Sequence, residues 1–384
     1  MSVSALTYKL QPLKERLRRS PWFLKYHAIR RRIRDCRGMA ALAIARVFAL
    51  TGPTSSIYYA IISREFDREH KAVLLGRIAF LGRLKVYDRS NGLLRRNIHR
   101  LEKGLIMQPR RPVFALDYIQ ETLDLYENAV LATRAQKRVN NEVIWAYDVL
   151  VSYFDVCSGS ELSTPARLRF QGMPTPEPAP EKEALPHARK VPYPASERAG
   201  PAVSYEDFLQ LALRRRSVRW FKDVPVEHNK LDQIIDAARL SPSACNRLPY
   251  RFLTLTDPKV AQECARLAGG TTGFANQIPS LIVVLGDLSC YSEERDRHLI
   301  YVDASLASMS LMLAAETVGL STCPINWSDV PSRERAIYKF LKDVPEYWRP
   351  VMLIAVGYAE DGGYIPFSSK KDFSIVRSFH NEGV

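Results

Sequence analysis

RRRSVRWF, residues 214–221, sets four arginines within six positions around Ser217 and then turns apolar at Trp220 and Phe221. Like charges that close repel and need anions nearby. Each charge-assisted bond to a phosphate oxygen contributes ~1.5–3 kcal/mol, and the Ser217 hydroxyl could join such a set. Taken alone, the octet also reads as a solvated basic turn at the end of the helical stretch SYEDFLQLAL (204–213). The sequence around it decides between the two readings.

Three further stretches follow in order. SPSACNRLPYRF (241–252) leaves the helical EHNKLDQIIDAARL (227–240) and runs into the strand-like RFLTLT. Asn246 there carries a carbonyl acceptor and an amide donor on one side chain, suited to a donor–acceptor ring edge. GLSTCPINW (319–327) is a turn whose backbone N–H groups can face a ligand. SSKKDFSIV (368–376) brings Lys370 and Lys371 after the apolar strand VMLIAVGY (351–358). SLIVVLG (280–286) reads as another strand, and 299–315 as a buried helix interrupted by Asp303. Helices and strands mixed over about 180 residues imply an α+β, three-layer domain.

These four stretches in this order resemble the FMN-dependent nitroreductase family, over residues 204–379. The resemblance implies the positions that hold FMN. Arg215, Arg216 and Ser217 fall where the family grips the phosphate and ribityl chain, and Arg219 where a cation approaches the N1/O2 edge of the ring. Asn246 falls where the pyrimidine edge is bonded, and Pro324, Ile325 and Asn326 at the turn whose N–H approaches flavin N5. Lys371, or else Lys370, matches a late phosphate ligand. It further implies NAD(P)H as electron donor, a homodimer with FMN between subunits, and no acid–base side chain. A cation near N1/O2 favours the reduced flavin. The chain departs from the family pattern at Arg247, Leu248, Tyr250 and Trp327, and Trp327 is expected to crowd the flavin or reshape the substrate pocket.

The other half of the chain differs in charge. Residues 204–384 hold 21 Lys/Arg and 22 Asp/Glu, whereas residues 1–203 hold 34 and 19, which together make the net +14. The first 50 residues carry 12 basic and 2 acidic side chains. Trp22, Phe23, Tyr26 and Ile29 stand among those charges. Such a tract suits either a solvated face docked on its own domain or an anionic membrane surface, with nucleic acid the least favoured partner.

Residues 57–156 read as helical. Leu116, Ile119, Leu123, Tyr126 and Val130 recur at steps of 3 and 4, as do Val143, Tyr147, Leu150, Val151 and Phe154. His99 and Glu102 stand three apart on one helical face and read as a surface pair, since a metal site needs more ligands. Nine prolines between 165 and 201 mark a linker. The expected organisation is a basic segment 1–51, a helical domain 52–157, a Pro-rich linker 158–203 and a flavin domain 204–384.

Six cysteines without C-x-x-C spacing, and no secretory signal, fit a reducing, cytoplasmic location, peripheral to a membrane if the basic tract engages lipid. The expected activity is an FMN-dependent oxidoreductase with an unidentified small-molecule acceptor. The alternative is a flavin-binding, redox-degenerate module tethered by its basic half. A third possibility is an enzyme holding its substrate between the two halves.

Overall fold

The computed structural model describes residues 39, 41–83, 86–178 and 189–379. The expectations for the basic tract 1–38 lie outside them. The described residues fall into two compact units, one ending at His70 and one beginning at Lys71. The first contains helical residues 41–48 and a short helix, Gly52–Ile57, whose cap Thr51 exchanges hydrogen bonds with Thr54 in a capping box. A π-helical turn, Tyr58–Ser63, follows. Leu42, Val47, Leu50 and Ile61 are exposed here.

The second unit holds the rest. Helix α1 (Asp67–Gly82) leads into it. Helix α2 (Gly92–Ile106) starts where the Asn91 side chain accepts from the N–H groups of Leu93 and Leu94. Its Leu94, Ile98 and Leu101, at steps of 4 and 3, are fully buried. They meet the expected stripes of α3 (Ile119–Ala135) and α4 (Asn141–Val156), including Leu123, Tyr126, Val143 and Leu150. Each such aliphatic side chain contributes ~1.5–3 kcal/mol on burial. Leu116 is the exception: it precedes α3 and stays exposed.

The linker boundary needs correction. Helix α5 (Thr164–Gln171) forms inside the stretch expected to be extended, because Pro165 sits in its first turn, where no backbone N–H is required. Its Ala166 and Phe170 join the helical core. Nor do the helical region and the flavin domain form separate units. Helix α1 carries Gly76 against the Leu288–Cys290 turn, where a Cβ would lie 2.6 Å from Leu288 Cβ. Lys71 pairs with Glu346 at 2.7 Å, and Arg77 pairs with Glu294.

The flavin-domain region is the expected α+β, three-layer arrangement. After α6 (Tyr205–Arg214) and α7 (His228–Ala238) come β1 (Tyr250–Leu255), α8 (Pro258–Leu267), β2 (Ser280–Asp287) and α9 (Leu299–Thr317). Then follow β3 (Ser321–Asn326), α10 (Pro331–Phe340) and β4 (Trp348–Gly357). The four strands pair antiparallel in the order β1-β2-β4-β3, so β1 and β3 are the edges. Every residue of β2 is buried, which explains its continuous apolar run. Its Leu281, Val283 and Leu285 pack with Ala261, Cys264 and Ile337 of α8 and α10. Ile282 and Val284 pack with Ile234 of α7 and with Ala307 and Leu311 of α9.

Among the described residues, one helical stretch, Glu294–Thr317, is long and apolar enough to cross a membrane. It contains α9, whose buried stripe packs on the sheet and whose Val302, Leu306 and Met309 are exposed.

Candidate functional site

The opening octet lies along the β3 edge. Ser217 pairs in parallel with Thr322, and the Val218 N–H donates to the Thr322 carbonyl at 3.0 Å. Further on, Phe221 bridges Ala359 just past β4. Val218 points into the core, which places its neighbours Ser217 and Arg219 on the other side of this extended segment. Residues 215–219 and the Pro324–Asn326 stretch are thereby held on one sheet edge. The electrostatics agree. Burial pushes the Cys323 thiol upward, and the guanidinium groups of Arg219 and Arg215 both act to lower it.

The four arginines are not equivalent. Arg214 has its anion: its Nε donates to Glu316 Oε2 at 3.1 Å. Glu316 is buried at the end of α9, and that burial holds its carboxyl above the usual glutamate range despite Arg214. Arg215, Arg216 and Arg219 make no ion pair among the described residues. Arg216 and Arg219 reach backbone carbonyls, those of Arg215 at 3.2 Å and Ser217 at 3.4 Å, and the Arg219 guanidinium also lies 5.8 Å from the centre of the Phe274 ring. Arg215 Nε is buried without a hydrogen-bond partner, as is the nearby Thr322 Oγ1. Unpartnered buried donors are costly, so a ligand there would find them ready.

Asn246 belongs to the other edge, in the loop leading to β1. Cys245, Asn246 and Leu248 adopt left-handed φ values of 52°, 51° and 49°, each costing ~1–2 kcal/mol for a residue with a Cβ. Several bonds hold the loop. Asp303 Oδ2 accepts from the Ala244 N–H at 2.9 Å, and Ser243 Oγ accepts from the Leu248 N–H at 3.0 Å. The Asn246 N–H donates to the Ser243 carbonyl at 2.9 Å. Arg95 Nε, from α2, donates to the Asn246 carbonyl at 2.6 Å. The Asn246 side-chain amide itself makes no hydrogen bond among the described residues, so it is open to a ligand.

β1 and β3 are separated by β2 and β4, three strand spacings or ~14 Å. Within one chain, therefore, Asn246 and the Ser217 cluster stand at opposite edges of the sheet. Lys370 and Lys371 lie in the exposed segment after β4, and no hydrogen bond or ion pair joins them to the cluster. Pro324 is half-buried, Ile325 buried and Asn326 exposed.

One departure resolves differently from expectation. Trp327 does not project over the site: it packs in the core with Ile325 and Val218 and is 7% exposed. Arg247 is also buried, stacked 4.8 Å from the Tyr291 ring. His99 and Glu102 form the expected surface pair at 3.5 Å, and Glu102 also accepts from the Trp145 indole N–H. Among the described residues no cluster could hold a metal ion.

Sequence reasoning missed Asp303 and Arg95 as supports of the Asn246 loop. Asp303 left a signal, an acid in an otherwise apolar helix. Arg95 left none.

Fold and site define an α+β domain with a basic sheet edge, and comparison with known proteins assigns its family. The Nitroreductase family model matches residues 212–272 and 265–358. YdgI of Bacillus subtilis, named as an NAD(P)H nitroreductase, is 27% identical over 201 residues, covering 43% of this chain and 94% of its own. A second B. subtilis protein, named FMN reductase with NAD(P)H, is 29% identical over 161 residues, covering 38% of this chain and 63% of its own. A Parabacteroides distasonis structure, named as an NADH dehydrogenase/NAD(P)H nitroreductase, is 31% identical and covers 46% of this chain and 98% of its own, with a TM-score of 0.39. Through this C-terminal region the chain belongs to the nitroreductase family.

Proposed function

We propose that the protein is an FMN-dependent oxidoreductase that takes electrons from NAD(P)H and passes them to a small-molecule acceptor. The family membership of residues 212–358 and the names of the relatives support a flavin-dependent NAD(P)H oxidoreductase. The observation that carries the reading is the β3 edge: three arginines without carboxylate partners around Ser217, with Arg215 Nε buried and unpaired.

The residues present fit the cofactor. Arg215, Arg216 and Ser217 would hold the phosphate, with Arg219 beside the ring and the Pro324–Asn326 backbone along it. Bound FMN supplies hydride-accepting chemistry at N5. Arg219 would place positive charge where the reduced ring carries negative charge. Asn246 would bond the pyrimidine edge.

Because Asn246 stands a sheet's width from Ser217, its part in the same site fits a homodimer in which the loop of one copy faces the β3 edge of the other. The exposed Val302, Leu306 and Met309 of α9, and Tyr205 and Phe208 of α6, support such an interface. Lys370 or Lys371 would likewise reach a phosphate through the partner. The test is direct. The purified protein should absorb near the flavin maximum, release FMN on heating, and bleach anaerobically with NADH or NADPH. Colourless protein that takes up no added FMN overturns the reading.

For location we propose the cytoplasm, at an anionic membrane surface. The 12 basic residues among the first 50 and the exposed Leu42, Val47 and Leu50 support it. Flotation with anionic vesicles at low salt checks it, and protein that stays at the bottom refutes it.

A further inference from the structure

A cavity of about 480 Å³ lies across the sheet from the Ser217 cluster and beside the Asn246 loop, between the start of α2 and the surface made by Arg247, Leu248, β1 and the turn after β2. None of the residues assigned to FMN lines it. Its volume falls in the range of small-molecule pockets, ~300–1,000 Å³.

The charges in its wall do not balance. Five arginines line it, Arg83, Arg89, Arg95, Arg247 and Arg251, against three carboxylates, Asp88, Glu142 and Asp287. Two carboxylates are already engaged. Glu142 accepts from Arg95 at 3.0 Å, from the Ser90 hydroxyl and from the Asn91 N–H. Asp287 accepts from the N–H and hydroxyl of Ser289, and its burial holds the carboxyl above the usual aspartate range. Two arginines are also engaged, Arg95 on Glu142 and Asn246, and Arg83 on Ser289 at 2.8 Å.

Three cations and one carboxylate, Asp88, remain. Arg89 has no side-chain partner among the described residues. Arg251 is stacked 3.9 Å from the Trp348 ring and makes no ion pair, although its charge, with that of Arg83, acts on Asp287. Arg247 has one long pair, 3.9 Å to Asp296, and its Nε is buried with no partner. The Tyr250 hydroxyl, also in the wall, is buried and equally unpartnered. Arg247 and Tyr250 are 7% and 8% exposed, so solvent does not satisfy them. The α2 N-terminus at the same wall adds partial positive charge.

We propose that this cavity is a second ligand site, for a small organic anion whose carboxylate or phosphate group is held by Arg89, Arg247 and Arg251. A planar guanidinium suits either group, and a polar atom on the ligand body would meet the Tyr250 hydroxyl. The site uses none of the residues assigned to FMN, adjoins the Asn246 loop through Arg247 and Arg95, and is built jointly by the helical region and the C-terminal domain.

The test uses the full-length, FMN-loaded protein and isothermal titration at constant ionic strength, with inorganic phosphate and malonate as probes and chloride as control. Saturable binding of phosphate, malonate or both is expected, and the stronger probe names the preferred group. Arg89 and Arg251 are exposed, so Arg89→Ala with Arg251→Ala should leave the fold and the flavin absorbance unchanged. Binding should weaken roughly tenfold or more, the loss of one to two charge-assisted bonds. Arg251→Lys should retain part of it. If neither anion binds beyond chloride, or if binding is the same in the double variant, the proposal is overturned. Binding that survives in the double variant but vanishes in Arg215→Ala would place the anion at the flavin cluster instead. Because flavin content is read separately, failure here leaves the oxidoreductase assignment standing.

Discussion

The two edges of the sheet solve the problem of presenting polar groups in opposite ways. At the β3 edge, Ser217 and Val218 are locked by strand pairing to Thr322, the most local and rigid device available. The arginines then stand ready without needing help from other side chains. At the β1 edge, Asn246 sits in a loop with three left-handed residues. Besides local bonds through Ser243, Asp303 from a core helix and Arg95 from the helical region reach into that loop and hold it. One edge is built from backbone and tolerates side-chain change. The other is built from long-range side-chain bonds and should be sensitive to positions far away in sequence.

The sharpest way to break this contrast is Arg95→Ala. It removes the bond to Asn246 and strands the buried Glu142 carboxylate, and breaking a buried pair costs ~3–5 kcal/mol. Urea unfolding should show that loss, and flavin affinity should fall with it; removing Glu142 as well should recover part of the stability. An unchanged urea midpoint would mean the loop supports itself. Arg215→Ala should do the reverse: weaken FMN retention roughly tenfold or more, from ~1.5–3 kcal/mol of charge-assisted bonding, with little change in stability. Equilibrium dialysis against free flavin reads it.

Asp303→Asn keeps an acceptor for the Ala244 N–H but removes the charge. Burial holds the Asp303 carboxyl above the usual range, so the unfolded chain releases this proton more readily than the folded one. The group therefore costs nothing below the usual aspartate range and costs stability as pH rises through its raised value. The stability of Asp303→Asn relative to the parent should thus improve from acid toward pH 7; an improvement confined to acid would reverse the sign. The smallest expected effect is Cys245→Gly, which relieves a left-handed residue and should raise stability by ~1 kcal/mol, visible as a higher midpoint in thermal unfolding.

Much of this architecture can be read without coordinates. The order of the four motifs specified the α+β domain, because strand pairing and helix burial follow from local periodicity and turn residues. The stripes of α3 and α4 were legible for the same reason. The proline count misled at α5: a proline in the first helical turn breaks nothing, and only its position relative to Ala166 and Phe170 shows that it starts a helix. Trp327 misled as well. Residue size was visible, but the side of the strand end on which the indole falls depended on the register of β3 against β4.

The sequence by itself determined the charge and hydrogen-bonding capacity of Arg215, Arg216, Ser217, Arg219 and Asn246, which are intrinsic to those side chains, and the order of motifs that carries the family resemblance. Only the tertiary structure decided how those groups are distributed. Strand order put Asn246 and Ser217 on opposite edges, and helix packing brought Arg95 across 151 residues of chain to the Asn246 carbonyl. The same packing gathered unmatched arginines around a second cavity. Such placements arise from long-range contacts, which no local pattern of residues encodes.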